Sequence, residues 1–134
     1  AQTFGETFDD YFAHNNERAV VIVQIEHQIA VRNVADILAV DGVDALLIGP
    51  YDLSASMDIP GQFDHPKLKE NVARVIEAAQ RVGKPAGFHA VSSDIAPSKA
   101  HLASGVRLLA YSVDMVVLNE TFRVGLAALR AAVV

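Results

Sequence analysis

Four short apolar runs, separated by stretches of helical periodicity, constrain the fold of this chain more than any other feature. They cover residues 19–25, 45–48, 85–89 and 108–112, and they are aliphatic or β-branched without regular polar alternation. Continuous apolar runs of this length are typical of strands in a parallel sheet that is covered on both faces. The sequence therefore predicts four parallel β-strands.

Helical patterns fill the intervals between these runs, because apolar residues recur there at helical spacing. Five helices are predicted: an opening segment with Phe4, Phe8, Tyr11 and Phe12; one from Ile29 to Leu38, ended by Asp41-Gly42; one capped by Asp64, with Pro66 in its first turn, and ended by Gly83; one over 94–103, closed by Gly105; and one over 121–132. The order α-(βα)₄ predicts an α/β fold with parallel strands and right-handed crossovers. We expect a single unit over residues 1–134.

Composition argues against several classes of protein. The net charge is −5 and no basic cluster is present, so no nucleic-acid partner is expected. Without cysteine, a metal could be held only by carboxylate or imidazole groups. No apolar run approaches the roughly 20 residues of a membrane span, and the first ten residues lack the apolar core of a secretory signal. We therefore expect a cytoplasmic protein with no membrane partner.

Two carboxylates follow the first two predicted strands. Glu26 comes directly after the first run, and Asp52 follows the second run in the turn Gly49-Pro50-Tyr51-Asp52. The carboxyl ends of neighbouring parallel strands lie about 4.8 Å apart, and two carboxylates there repel each other unless a proton or a cation intervenes. Mg²⁺ or Mn²⁺ is one solution. Alternatively, Asp52 caps a short helix and Glu26 stabilises the first turn of the next one.

The turn after the second run offers a further possibility. Glycine allows a sharp bend and proline fixes φ, so the N–H groups of Tyr51, Asp52 and Leu53 would point outward at a helix start. Such a group of donors can hold a carboxylate or a phosphate. An ordinary strand-to-helix turn would use the same residues, and both interpretations remain open at this point.

Four stretches carry a specific resemblance: VVIVQIEH, ILAVDGVDALLIGPYDLSAS, GKPAGFHA and RLLAYSVDMVVL. They resemble the HpcH/HpaI aldolase family, which includes 4-hydroxy-2-oxoheptanedioate and 2-keto-3-deoxy sugar-acid aldolases. The similarity runs over about residues 19–118. A complete (β/α)₈ barrel needs about 250 residues, so the resemblance implies the C-terminal half of a TIM-type barrel. Family members exchange their last helix between subunits, which implies that residues 121–134 pack on a neighbouring copy.

The resemblance also implies roles for particular residues. Glu26 and Asp52 match the two protein ligands of a divalent metal, which would be Mg²⁺, Mn²⁺ or Co²⁺. Gln24 matches a glutamine that contacts substrate, and the turn formed by Tyr51 and Asp52 meets the carboxylate of pyruvate through its backbone. The ring of Tyr51 would narrow or reshape the aldehyde pocket. The role of His89 does not come from the resemblance, because some relatives carry an apolar residue at this position. Its place at the end of the third strand, where side chains face the barrel mouth, predicts a role in the substrate pocket. Alternatively, His89 is a histidine held by hydrogen bonds near the rim.

The implied activity is that of a class II aldolase. The metal acts as a Lewis acid on the carbonyl of pyruvate, and the enolate adds to an aldehyde to form a 4-hydroxy-2-oxo acid. No Schiff-base lysine is needed. The family's general-base histidine and its arginine lie in the N-terminal half of the barrel and match nothing in this chain, so no catalytic residue is assigned here. Expected partners are the missing half-barrel or further copies of the chain, in a homo-oligomer.

Two other functions stay open. A CoA-ester lyase of the citrate-lyase β type shares the fold and a Glu/Asp metal pair, although the Gly-Pro-Tyr-Asp-Leu-Ser block fits it less well. A non-catalytic half-barrel that serves as a binding module would keep the metal site without the base.

The remaining histidines are given minor roles. His14, His65 and His101 are predicted to be solvated, and His27 is expected to point off the barrel mouth or onto the start of the next helix. Asp114 is predicted to cap the final helix.

Overall fold

A computed structural model describes residue 5 and residues 7–133 of the chain. Its four strands are β1 (Ile22–Ile25), β2 (Ala45–Ile48), β3 (Ala86–Ala90) and β4 (Leu108–Tyr111). They form one sheet in the order β1-β2-β3-β4, and every neighbouring pair is parallel. The predicted parallel α/β arrangement is confirmed. The first strand starts at Ile22 rather than Ala19, because Ala19 is the C-cap of the preceding helix.

Among the described residues, one or two helices precede or follow each strand, seven in all: α1 (Phe8–Arg18), α2 (Gln28–Arg32), α3 (Val34–Ala39), α4 (Pro50–Ala55), α5 (Pro66–Arg81), α6 (Ile95–Ala103) and α7 (Asp114–Ala131). Three of the predicted stops are confirmed, since Gly42, Gly83 and Gly105 adopt positive φ just beyond α3, α5 and α6. Phe4, from the predicted opening helix, lies outside the described residues. Within the described part of the chain, no helix has both the length and the apolar character needed to cross a bilayer.

Two predicted helix starts are wrong. The cap of α5 is His65, whose Nδ1 accepts a hydrogen bond from the N–H of Lys67 at 3.1 Å. Asp64 instead pairs with Lys69 at 2.8 Å, and this hydrogen bond lowers the pKa of Asp64. The last helix begins at Asp114, with Val113 as its N-cap, so it is longer than predicted and Asp114 is not its cap.

One predicted helix is divided in two. Between α2 and α3, Asn33 leaves helical geometry at φ −99° and ψ 14°. The two short helices still bury one face, because Val31, Val34 and Leu38 all lie in the core.

The core lies on one face of the sheet. Ile25, Leu46 and Ile48 are fully buried there, beneath α2, α3 and α5. On the opposite face Ile22 and Gln24 are exposed. We call the buried side the outer face and the exposed side the inner face, since helices cover the outside of a parallel barrel.

The helices at the two ends of the described chain differ from the central ones. Neither α1 nor α7 contributes a buried residue. Large apolar side chains on both are open to solvent, among them Phe12 at 77% exposure and Phe122 at 66%. The described residues leave the apolar faces of these two helices uncovered.

Candidate functional site

The pairing register of the strands places the candidate residues at one edge of the sheet. One row of paired residues crosses all four strands and consists of Ile25, Ile48, Phe88 and Leu109. One residue further along each strand lies the next row, which faces the opposite side: Glu26, Gly49, His89 and Ala110. This second row is at the carboxyl ends of the strands, where parallel α/β folds collect their functional groups.

Glu26 lies against the glycine of the neighbouring strand. The N–H of Gly49 donates to the carbonyl of Ile25 at 3.3 Å, which extends the pairing of β1 and β2 to this point. The side chain of Glu26 is half-buried and occupies the space beside Gly49. A methyl group built on Gly49 would lie 2.6 Å from Oε1 of Glu26. The missing side chain of Gly49 therefore forms a cradle for this carboxylate.

Asp52 lies in the first turn of α4, directly after β2, and it is exposed. The N-cap of α4 is Gly49, so the alternative in which Asp52 caps the helix is wrong. The N–H of Leu53 donates to the carbonyl of Gly49 at 3.0 Å, so it is not one of the outward donors that the turn predicted. Asp52 and Glu26 thus share the carboxyl edge of two neighbouring parallel strands.

The helix after Glu26 begins too late for Glu26 to serve it. Its N-cap is His27, whose Nδ1 accepts from the N–H of Ile29 at 3.1 Å, as predicted for a ring turned onto the helix start. Glu26 precedes that cap and stands outside the first turn of α2. Glu26 is therefore not in position to stabilise the first turn of α2.

Hydrogen bonds that the sequence analysis missed link the segments carrying the two carboxylates. The backbone N–H of Gln28 donates to Oγ of Ser56 at 3.0 Å, and its Nε2 donates to the carbonyl of Ser56 at 2.5 Å. In turn, Oγ of Ser56 donates to the carbonyl of Leu53 at 2.7 Å. These bonds join the chain just after Glu26 to the end of the helix that carries Asp52. In the sequence, only Ser56, which follows Leu53-Ser54-Ala55, could have suggested these hydrogen bonds.

Gln24 and His89 share the inner face with Glu26. Gln24 is two residues before Glu26 on β1 and is exposed, opposite Leu47 of β2. His89 is half-buried and lies in the same row as Glu26, two strands away. Two strand spacings amount to roughly 10 Å between backbones, so His89 borders the site at a distance from the carboxylates.

The ring of Tyr51 is half-exposed and packs edge-to-face on Phe63, with ring centres 4.7 Å apart. Both rings line a groove of about 920 Å³ that runs between α5 and α6. His89 also lines this groove, whereas Gln24, Glu26 and Asp52 do not.

His101 is placed differently from the prediction. Its ring is half-buried in the same groove and stacks on Phe88, with ring centres 3.7 Å apart. Burial disfavours the charged imidazolium and lowers the pKa of His101. Helical periodicity could not show this contact, because Phe88 belongs to the adjacent strand.

The donor set suits a hard divalent cation. Among residues 5 and 7–133, no three His, Asp or Glu side chains converge on one point. Mg²⁺ typically takes one or two carboxylates and keeps several waters, so Glu26 and Asp52 are the residues at this edge that could hold it. Within the same described part, no lysine lies at a strand's carboxyl end, where a Schiff base would form.

Comparison with known proteins identifies relatives of this chain. A 2-keto-3-deoxy-L-rhamnonate aldolase from Salmonella newport is 38% identical over 112 residues, which cover 84% of this chain and 41% of that protein. The chain therefore spans less than half the length of the curated relatives it matches.

Solved structures show the same fold. An HpcH/HpaI aldolase/citrate lyase family protein from Burkholderia cenocepacia superposes with a TM-score of 0.84 at 36% identity, covering 90% of this chain and 46% of that one. An HpcH/HpaI aldolase from Desulfitobacterium hafniense gives 0.82 at 33% identity, covering 96% and 50%. The four parallel strands and their helices thus match part of the TIM-barrel-like fold of these proteins. Residues 3–120 match the HpcH/HpaI aldolase/citrate lyase family model, and the chain belongs to that family.

Proposed function

We propose that this chain supplies the metal-binding half of a class II aldolase that forms or cleaves 4-hydroxy-2-oxo acids from pyruvate and an aldehyde. One observation carries the proposal: Glu26 and Asp52 follow neighbouring parallel strands at the same edge of the sheet. The bonds from Gln28 to Ser56 brace the two segments against each other. The relative from Salmonella newport, named as an aldolase of a 2-keto-3-deoxy sugar acid, supports the substrate class.

Each residue of the site has a distinct task in this proposal. When bound by Glu26 and Asp52, a Mg²⁺, Mn²⁺ or Co²⁺ ion supplies Lewis acidity to the keto-acid carbonyl. Gln24, on the same face as Glu26, donates its amide N–H to the substrate. The turn at Tyr51 and Asp52 offers backbone N–H groups to the carboxylate of pyruvate. His89 borders the pocket on the aldehyde side.

The remaining machinery is assigned to the N-terminal half of the barrel. That half would supply the general-base histidine and the arginine of the family and would cover the inner face, where Gln24 is exposed. Homo-oligomer formation with exchange of α7 is part of the same proposal. It is supported by the exposure of Phe122 and Leu129, both 66%, on a helix without a buried residue.

The metal pair is tested by Glu26→Gln and Asp52→Asn in the intact protein, with Mn²⁺ binding followed by calorimetry. Outer-shell changes typically weaken metal affinity by about 10- to 100-fold, and we expect the loss of a direct ligand to cost more than that. Asp36→Asn is the matched control, since it removes an exposed carboxylate on α3, away from the sheet edge. Undiminished Mn²⁺ affinity in both ligand variants would rule out the pair.

A second candidate function is cleavage of a CoA ester, because the matching family includes citrate lyase in its description. A solved citrate synthase also shares the fold, with a TM-score of 0.80 at 25% identity, covering 93% of this chain and 50% of that one. Parallel assays of acyl-CoA cleavage and 4-hydroxy-2-oxo acid cleavage separate the two. Turnover of the oxo acid alone favours the aldolase, and turnover of the CoA ester alone favours the lyase.

A further inference from the structure

We infer that Gly49 is a positioning residue. Because it has no side chain, the carboxylate of Glu26 can occupy the place where it binds a metal. The inference rests on the proposed function, because it concerns the same metal pair. It adds a residue that contributes no ligand atom and acts only through its neighbour on β1.

Backbone conformation does not explain a glycine at this position. Gly49 has φ −96° and ψ 97°, an extended geometry that any L-residue adopts. By contrast, Gly42 and Gly83 adopt φ values of 81° and 71°, where a side chain would cause strain. The glycine after β2 is therefore required for a reason other than its backbone conformation.

Space does explain it. A Cβ atom on Gly49 would lie 2.6 Å from Oε1, 2.8 Å from Cγ and 3.2 Å from Cδ of Glu26. Favourable contacts between carbon atoms lie at roughly 3.5–4.0 Å, so even a methyl group would collide with this side chain. The three nearest atoms all belong to Glu26.

The sheet contains a second glycine that makes the contrast clear. A Cβ on Gly87 of β3 would lie 2.8 Å from the backbone carbonyl oxygen of Leu46, which cannot move without disturbing β2. At Gly49 the obstacle is a flexible side chain that can rotate away. Alanine at position 49 is therefore compatible with the fold, and the relaxation it forces is the displacement of the Glu26 carboxylate.

The first experiment measures Mn²⁺ affinity of Gly49→Ala in the intact protein by calorimetry, at matched folded fraction. We expect affinity to fall by roughly 10- to 100-fold, the range for a residue that orients a metal ligand. Gly125→Ala is the control, because a Cβ there meets no atom within 4 Å, and its affinity should equal that of the wild type. Wild-type affinity in Gly49→Ala overturns the inference.

The second experiment is a double-mutant cycle on the metal-free protein, followed by the urea midpoint of unfolding. Gly49→Ala should lower the midpoint when Glu26 is present and leave it unchanged in the Glu26→Ala background, where the colliding side chain is gone. An equal shift in both backgrounds overturns the inference. If Gly49→Ala alone does not fold, folding of the double variant supports the coupling and its failure to fold overturns it.

The two experiments also separate this inference from the proposed function. A wild-type protein that fails to bind Mn²⁺ overturns the metal pair. The cycle on the metal-free protein still decides whether Gly49 and Glu26 are coupled.

Discussion

The outer and inner faces of the sheet carry opposite chemistry on consecutive residues of β1. On β1, Ile25 is fully buried on the outer face, whereas Gln24 is exposed on the inner face and Glu26 follows it there. Side chains alternate along a strand, so a single strand supplies both the core and the candidate site. Core residues and candidate-site residues therefore alternate along the strand and do not lie in separate regions of the chain.

The faces also differ in how they are covered. Large aliphatic residues such as Leu46 and Ile48 fill the outer face under α5. The inner face carries Leu47 in the same row as Gln24, and Gly49 there leaves room for the Glu26 side chain. A close-packed outer face should tolerate little change in volume, and the inner face should tolerate changes that leave its polar groups in place.

The largest stability effect that this comparison predicts is at the outer face. Leu46→Ala should lower the free energy of unfolding by about 2–5 kcal/mol, because truncation of a fully buried leucine leaves a cavity. Urea unfolding measures it. The Mn²⁺ affinity of the folded variant should stay near wild type. A stability cost within about 0.5 kcal/mol, as at surface positions, would show that the two faces do not differ in the way described.

On the inner face we expect a smaller effect, and it should appear in substrate binding rather than in stability. Gln24→Ala should raise KM for the 2-oxo acid by up to about tenfold, since one hydrogen bond contributes about 0.5–1.5 kcal/mol. Its free energy of unfolding should change by no more than about 0.5 kcal/mol, because Gln24 is exposed. Gln62→Ala, in an exposed loop, is the control. A destabilised variant with unchanged KM would show that Gln24 contributes to stability and not to substrate binding.

The smallest effect concerns pH on the outer face. Burial lowers the pKa of His101 below its ordinary value of 6.5, so the unfolded chain binds the proton more tightly than the folded one. The free energy of unfolding should therefore fall as pH drops through that value. His101→Gln should flatten this part of the profile, measured by urea midpoints between about pH 8 and pH 5.

The comparison with His101→Gln isolates the ring. The carboxylates that line the same groove, Asp64, Glu77, Asp94 and Glu120, are present in both proteins. Identical pH profiles for the wild type and His101→Gln would exclude a contribution from the His101 ring.

Local pattern predicted the strands, the parallel order and most helix ends. Apolar runs mark covered strands, and glycines just beyond α3, α5 and α6 mark helix ends, because these are properties of a few consecutive residues. One predicted helix start failed because two neighbouring residues could serve as the cap, and His65 caps α5 in place of Asp64. The predicted start of the last helix also failed, since α7 starts at Asp114, well before it.

For the site, the sequence by itself determined that Glu26 and Asp52 follow successive strands, since parallel pairing brings the ends of such strands to one edge. Only the tertiary structure decided how they are held. The bonds between Gln28 and Ser56 join residues 28 positions apart, and the cradle at Gly49 exists only once β1 lies beside β2. Contacts of this kind depend on three-dimensional register, which no local periodicity encodes.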